Sequence, residues 1–283
     1  MQCITRFAPS PTGPLHLGHA FSALTAFRLA QSMNGRFLLR IEDIDQSRAR
    51  PQWEAQIYND LAWLGLTWET PVLRQSDNLA AYSRALDLLW EKGLLYPCSC
   101  NRRDISAAAS APQEGAPLQG PDGIIYPGTC RPTQPPTGPR PYDVALRLDI
   151  AKATQEISHV EWDEAGPDCG HHSIPSSELI TSIGDVVLAR RDMGTSYHLS
   201  VVVDDAAQAI THVVRGEDLA PATPIHVLLQ TLMGFPTAAY YHHTLIRDEA
   251  GKRLAKRDDA RALSTYRDMG KTPADIREMV GLA

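Results

Sequence analysis

No stretch of the 283-residue chain stays apolar for long enough to span a membrane as a helix. The most apolar one, Val201, Val202 and Val203, runs straight into Asp204 and Asp205. The opening MQCITRFAPS lacks the basic start and apolar core of a secretory signal. Basic residues are in the minority, 27 Lys and Arg against 33 Asp and Glu, for a formal charge of -6. This balance excludes a uniformly basic nucleic-acid coat but leaves room for a local basic groove. Cysteine is sparse and odd in number, 5 in all, which argues against a disulfide framework. Together these absences lead us to expect a cytoplasmic protein without membrane association, whose thiols are free or hold a metal. What is present is an ordinary globular mixture, 43% hydrophobic and 21% charged, enough for one large core or two smaller ones.

Patterning organises the chain unevenly. Residues 3–8 fit a short buried strand, and residues 18–33 are helical, with Ala20, Leu24 and Phe27 on one face and Ala23 and Ala30 extending it. Asn34, Gly35 and Arg36 stop that helix, and 37–41 form a second strand ending in Glu42, Asp43 and Asp45. This strand–helix–strand unit is expected to be parallel with a right-handed crossover. Helices follow over 51–64 and 78–92. Residues 97–142 are rich in Pro, Gly, Ala and Ser and read as an irregular insert. Strands are expected over 144–150, 184–189, 197–203 and 210–214, a helix over 224–233, and a short charged tail after Thr244. No internal repeat is visible.

One segment carries chemistry out of proportion to its length: RFAPSPTGPLHLGHA, residues 6–20. A strand that turns directly into a helix presents unsatisfied N–H groups and the positive end of the helix dipole, which together suit an anion. Gly13 and Gly18 let a ligand approach the backbone, and His16 and His19 can donate to phosphate or ribose oxygens. On local chemistry alone a proline-rich turn with surface histidines fits equally well.

The wider set of motifs decides between them. HLGH at 16–19, inside the longer segment above, resembles the HIGH motif of class I aminoacyl-tRNA synthetases in its glutamyl form. RIEDID at 40–45, SYHLSVVVDD at 196–205, THVVRGEDL at 211–219 and RLAKR at 253–257 follow in the same order, the last where the family has its KMSKS loop. Fewer than about thirty residues follow Lys256, too few for the helical anticodon-binding domain of a full glutamyl-tRNA synthetase. A core of this kind without that domain resembles the glutamyl-Q tRNA(Asp) synthetase family. The resemblance implies an α/β fold with a Rossmann-type parallel sheet, a zinc-containing insert and a short helical C-terminal stem. It divides the chain into 1–96 and 143–240 as catalytic core, the latter with an acceptor-like insert, 97–142 as the zinc insert, and 241–283 as the lysine loop and tail. It implies a monomeric ligase that activates L-glutamate with ATP and Mg²⁺ without tRNA, then glutamylates queuosine at the wobble position of tRNA(Asp). A truncated synthetase charging a tRNA 3′ end and a non-catalytic RNA-binding paralogue are the competing readings.

Attack of a carboxylate on the α-phosphate of ATP needs positioning and charge neutralisation more than a protein nucleophile. By the resemblance, His16, Gly18 and His19 hold ATP and Lys256 supplies the cation at the departing phosphates, whereas in isolation Lys256 reads as an exposed lysine. Arg253 and Ala255 depart from the KMSKS pattern, so the usual hydroxyl contact is missing while the second cation is kept. Glutamate brings two carboxylates and an ammonium, and bidentate arginine is the economical complement to a carboxylate. The resemblance gives Arg6 and Arg215 the cationic roles and Glu42 the ammonium, with Ser10 and Tyr197 adding hydrogen bonds. Either arginine alone reads as a structural ion pair. Asp43 and Asp45 are expected to brace the loop or an arginine. Cys98, Cys100 and Cys130 suggest structural Zn²⁺, which takes four ligands. The family pattern assigns Tyr126 as the fourth; Cys169, His171 and His172 compete, and so does a metal-free loop. Cys3 is expected to be a buried strand residue.

Overall fold

Helix-flanked strands at the two ends of the chain meet around one sheet. The computed structural model describes residues 2–109, 119–246 and 261–282. The first third follows the expected order: β1 (Ile4–Phe7), α1 (Leu17–Ser32), β2 (Arg36–Ile41), α2 (Pro51–Trp63), β3 (Leu73–Arg74) and α3 (Leu79–Glu91). The middle contributes β4 (Leu95–Cys98), α4 (Arg102–Ala109), a small hairpin of β5 (Gln119–Gly120) and β6 (Gly123–Ile124), β7 (Ala145–Leu148), α5 (Ile150–Ala153), β8 (His159–Glu164), β9 (Gly170–Pro175), α6 (Ser176–Ser182) and β10 (Val187–Ala189). The last part holds α7 (Tyr197–Ala207), β11 (His212–Gly216), α8 (Thr223–Met233), β12 (Ala239–His243), α9 (Leu263–Asp268) and α10 (Pro273–Met279).

β1 pairs in parallel with β2, and β2 with β3; β11 pairs in parallel with β12. Thr211 N donates to Ile4 O at 3.0 Å, Ile4 N donates to Thr211 Oγ1 at 2.8 Å, and Arg6 Nη1 donates to Val214 O at 3.2 Å. These partners advance together along both strands, so β11 runs beside β1 in the same direction. The two hydrogen-bonded sheets, β1-β2-β3 and β11-β12-β8-β9, thus abut through β1 and β11 in the order β3-β2-β1-β11-β12-β8-β9, with the chain winding one way from β1 and the other way from β11. A ligand crevice is expected outside the carboxyl ends of the strands at such a reversal. Side chains of β2 alternate accordingly: Phe37, Leu39 and Ile41 enter a core with α1, α2 and α10, while Leu38 enters a core with α3, α7 and α8. Apolar residues on both faces are the mark of a parallel sheet covered on both sides.

α1 ends as its sequence predicts. Asn34 takes a left-handed φ of 49°, and a Cβ on Gly35 would lie 2.2 Å from the Cys3 carbonyl oxygen. Only glycine lets the helix end pass so close to the start of β1.

One expected strand is corrected. Residues 197–203 belong to helix α7, started by Ser196, whose hydroxyl accepts from Leu199 N. The segment from His198 to Asp205 is buried on every side, and a run without a polar face does not distinguish a helix from a strand by periodicity. The insert carries α4 and the small β5–β6 hairpin, and the strands that flank it, β4 and β7, pair antiparallel with each other and, through β7, with β10. Cys3 is buried at the start of β1, as expected. The tail contains α9 and α10, whose Leu263 and Ile276 reach the core around α1. Among the described residues no helix is long and apolar enough to cross a membrane.

Candidate active site

The proline-rich turn delivers its two histidines to the first turn of α1, where they cap the helix. His16 is the N-cap: its Nδ1 accepts from Gly18 N at 3.1 Å, and His19 Nδ1 accepts from His16 N at 3.1 Å. The pair forms a capping box in which imidazoles stand where a hydroxyl and a carboxylate usually do. With Nδ1 used as an acceptor, the neutral ring carries its proton on Nε2. The rings lie 3.8 Å apart, centroid to centroid. Both rings stand at the positive end of a helix.

Arg6 on β1 and Arg215 on β11 lie on neighbouring strands, next to the carboxyl ends of the sheet. Arg6 Nε and Nη2 donate to the two oxygens of Asp205 at 2.9 and 3.3 Å. Arg40, fully buried on β2, donates to Asp205 at 2.6 Å and to Glu42 at 3.1 Å. Glu42 thus has one oxygen tied by Arg40 and stands beside a cluster of two arginines and two aspartates. Burial pushes the Glu42 carboxyl above its ordinary range, with Arg40 and Arg6 pulling against it. Burial also pushes Asp205 upward, but Arg6 and Arg40 outweigh it and hold that carboxyl low. Asp43 and Asp45 brace loops: Asp43 accepts from Ser76 N and Oγ at 2.8 and 2.6 Å, and Asp45 from Ser47 Oγ at 2.6 Å.

Arg6, Ser10, His16, Gly18, His19, Glu42, Tyr197 and Arg215 all line one cleft of about 670 Å³ at the reversal of strand order. Every expected glutamate and ATP residue among the described ones is therefore brought together. Lys256, with Arg253 and Ala255, lies outside the described residues. The sequence reading missed Asp205, Arg40 and the histidines behind Arg215. Asp204 and Asp205 closing an apolar run were a usable signal, because acids inside a buried segment need partners.

In the insert, the Sγ atoms of Cys98, Cys100 and Cys130 lie within 4.8 Å of one another, and among the described residues no other group of three or more such ligands converges. Tyr126 Oη is 3.4 Å from Cys98 Sγ and 3.5 Å from Cys100 Sγ, and it accepts from Cys130 N at 2.8 Å. Such spacings match the edges of a tetrahedron with zinc–sulfur bonds of about 2.3 Å. The Tyr126 hydroxyl pulls the Cys130 thiol below the ordinary cysteine range. Arg147 Nε donates to Cys98 Sγ at 3.3 Å and its guanidinium lies 3.8 Å from the Tyr126 ring centroid, offsetting negative ligands. His171 and His172 are engaged elsewhere: His171 pairs with Asp163 at 3.0 Å and His172 stacks on Trp162.

Comparison with known proteins shows the family of the chain. The model of the catalytic domain of class I tRNA synthetases (E and Q) matches residues 2–119 and 163–283. The chain is 63% identical over 281 residues to the glutamyl-Q tRNA(Asp) synthetase of Rhodobacter capsulatus, covering 99% of this chain and 100% of that one. It is 40% identical to the protein of the same name from Geobacter sulfurreducens, over 94% of this chain and 79% of the relative. The crystal structure of a glutamate-tRNA synthetase from Elizabethkingia anophelis shares the fold with a TM-score of 0.77 at 24% identity, covering 99% of this chain and 61% of that one. The chain belongs to the class I tRNA synthetases and, within them, to the glutamyl-Q tRNA(Asp) synthetase family.

Proposed function

We propose that this enzyme activates L-glutamate with ATP in the absence of tRNA and transfers the glutamyl group to queuosine in tRNA(Asp). The observation that carries the reading is the convergence of Arg6, Glu42, Tyr197 and Arg215 with His16 and His19 in one cleft. Arg6 and Arg215 bind the carboxylates of glutamate, Glu42 takes its ammonium, and Ser10 and Tyr197 add hydrogen bonds. Its α-carboxylate then faces ATP bound over Gly18 at the start of α1, with His16 and His19 beside its phosphate and ribose oxygens. The carboxylate oxygen attacks the α-phosphorus, the bond to the bridging oxygen breaks, and pyrophosphate leaves; Lys256 would neutralise it, together with any Mg²⁺ that ATP brings. A hydroxyl of the acceptor then attacks the acyl carbon, AMP leaves with the bonding pair, and the hydroxyl proton passes to its phosphate.

A second cavity of about 580 Å³ shares Tyr197, Asp218 and Leu219 with the cleft. It gives the acceptor nucleoside a route to the activated carboxyl, and an unpaired anticodon base is easier to extrude into it than a paired one. In the insert, Cys98, Cys100, Cys130 and Tyr126 would hold one structural zinc, whose role would be to tie β4 to the segment after β6.

Labelled glutamate offered with ATP and defined tRNAs tests the reading. Label is expected on queuosine-containing tRNA(Asp) and not on its unmodified counterpart or on tRNA(Glu). Label at the 3′ end of tRNA(Glu) makes the chain a minimal glutamyl-tRNA synthetase, and glutamate-dependent pyrophosphate exchange that is absent makes it a non-catalytic relative.

A further inference from the structure

Arg6 and Arg215 face the same cleft but are held in opposite ways. Arg6 is neutralised by the two oxygens of Asp205. Arg215, equally buried, makes no ion pair with any carboxylate among the described residues; its three side-chain hydrogen bonds are all to neutral acceptors, and its guanidinium lies 5.2 Å from the Tyr240 ring centroid. Nη1 donates to His226 Nδ1 at 2.9 Å, Nε donates to His242 Nε2 at 3.1 Å, and Nη2 donates to Thr223 Oγ1 at 2.7 Å.

An imidazole that accepts at one nitrogen carries its proton on the other. The tautomers, and with them the directions of the next bonds, follow from the arginine outward. His226 Nε2–H donates to His198 Nδ1 at 3.0 Å, and His198 Nε2–H donates to Asp122 at 2.8 Å, on the turn of the β5–β6 hairpin. His242 Nδ1–H donates to Glu164 Oε2 at 2.6 Å, whose other oxygen accepts from His242 N at 2.8 Å and Gly166 N at 3.1 Å. A Cβ on Gly166 would meet Glu164 Oε1 at 2.7 Å and the His242 carbonyl oxygen at 3.0 Å, so a side chain there would displace the carboxylate from His242. Two chains of hydrogen bonds leave the guanidinium and each ends on a carboxylate that does not touch it.

We infer that His226 and His242 are positioning residues that orient Arg215 without neutralising it, so that its charge is answered by the side-chain or main-chain carboxylate of the substrate, and that His198 and Asp122 complete one of the two chains. Burial pushes both imidazoles below the ordinary histidine range and the field of Arg215 adds to it, outweighing at His242 the upward pull of Glu164, in keeping with the acceptor role that the geometry gives both rings. A buried cation without a counter-charge is costly, and an incoming carboxylate relieves that cost while a neutral amide does not. A carboxylate in direct contact, as at Arg6, removes the difference. The neutral dressing of Arg215 is therefore a determinant of glutamate over glutamine. This rests on the reading of Arg215 as a glutamate ligand.

The isosteric pair His226→Gln and His226→Glu tests it, by pyrophosphate exchange without tRNA, with glutamate and with glutamine as substrates. Glutamine at 226 accepts from Arg215 and donates to His198, and its KM for glutamate is expected within about threefold of the parent. Glutamate at 226 keeps the contact but neutralises the arginine. Its KM is expected to rise about tenfold or more, with kcat moved far less, and its preference for glutamate over glutamine to narrow. Asp122→Ala, a change on a half-exposed side chain that leaves the core alone, is expected to raise the same KM about threefold. Equal KM values for the Gln and Glu variants, or a loss confined to kcat, overturn the inference; an unmoved KM in Asp122→Ala removes the hairpin from it. A parent enzyme without glutamate-dependent exchange overturns the proposed function itself, whereas normal exchange with unresponsive variants overturns only the role of the histidines.

Discussion

Asp205 accepts a hydrogen bond from Arg40 at 2.6 Å and, through the same oxygen, one from Arg6 at 2.9 Å. One acid on α7 therefore ties together two arginines from two neighbouring strands of the sheet. Removing it leaves the buried Arg40 with Glu42 at 3.1 Å and Asp204 at 3.8 Å, and takes from Arg6 its ion-pair partner. Because an uncompensated buried charge costs about 3–5 kcal/mol, Asp205→Ala is expected to lower unfolding stability by that order. Urea unfolding measures it. A loss below about 1 kcal/mol would mean that Arg40 finds water or another partner.

Glu42 yields a pH prediction. Its carboxyl is raised by burial, so it takes up a proton at a higher pH than an ordinary glutamate does. Protonation removes the charge that meets the substrate ammonium. The KM for glutamate is expected to rise as pH falls through that raised value, before the substrate's own carboxylates titrate. Glu42→Gln is expected to show a high KM that no longer responds over the same range. A parallel pH response in parent and variant assigns the ammonium elsewhere.

Lys256→Ala is expected to lower the rate of adenylation about 10²–10³-fold while leaving the KM for glutamate within a few-fold, as suits a cation used mainly in the transition state. Single-turnover measurement of pyrophosphate release checks this. An unchanged rate means that Arg253 or Arg257 supplies the charge instead.

Elemental analysis is expected to find one zinc per chain. Chelation, or Cys130→Ser, is expected to expose residues 97–142 to proteolysis while the cleft still binds glutamate, because the ligands are confined to β4, Cys100 and the segment after β6. Metal-free protein with an equally resistant insert contradicts the site.

Much of the first half was legible because its signals are local. The helix stop at Asn34 and Gly35 and the alternation of β2 follow from short-range sterics and burial. The family motifs named the side chains that the cleft collects, and distance in sequence did not hide them. What was not legible depends on tertiary context. α7 lacks a polar face, so its period was invisible. The use of His16 and His19 as a capping box, with Nδ1 turned to the backbone, needs the actual turn geometry. The histidines behind Arg215 carry no motif of their own: His198 lies within one recognised segment, while His226 and His242 come from α8 and β12.

The Arg6–Asp205 pair spans 199 residues and the Arg40–Asp205 pair 165. That separation orders events during synthesis. Until Asp205 has left the ribosome, Arg40 lacks its shortest-range partner, and at about 5–20 residues per second the interval lasts on the order of ten seconds or more. A nascent chain ending before α7 holds β1, β2 and β3 but gains little by burying Arg40, so the first half of the sheet should remain loosely closed. Closure of long-range contacts is slow. The setting of Arg6 by Asp205 therefore waits for α7, and a chain interrupted before residue 205 lacks both that acid and Arg215.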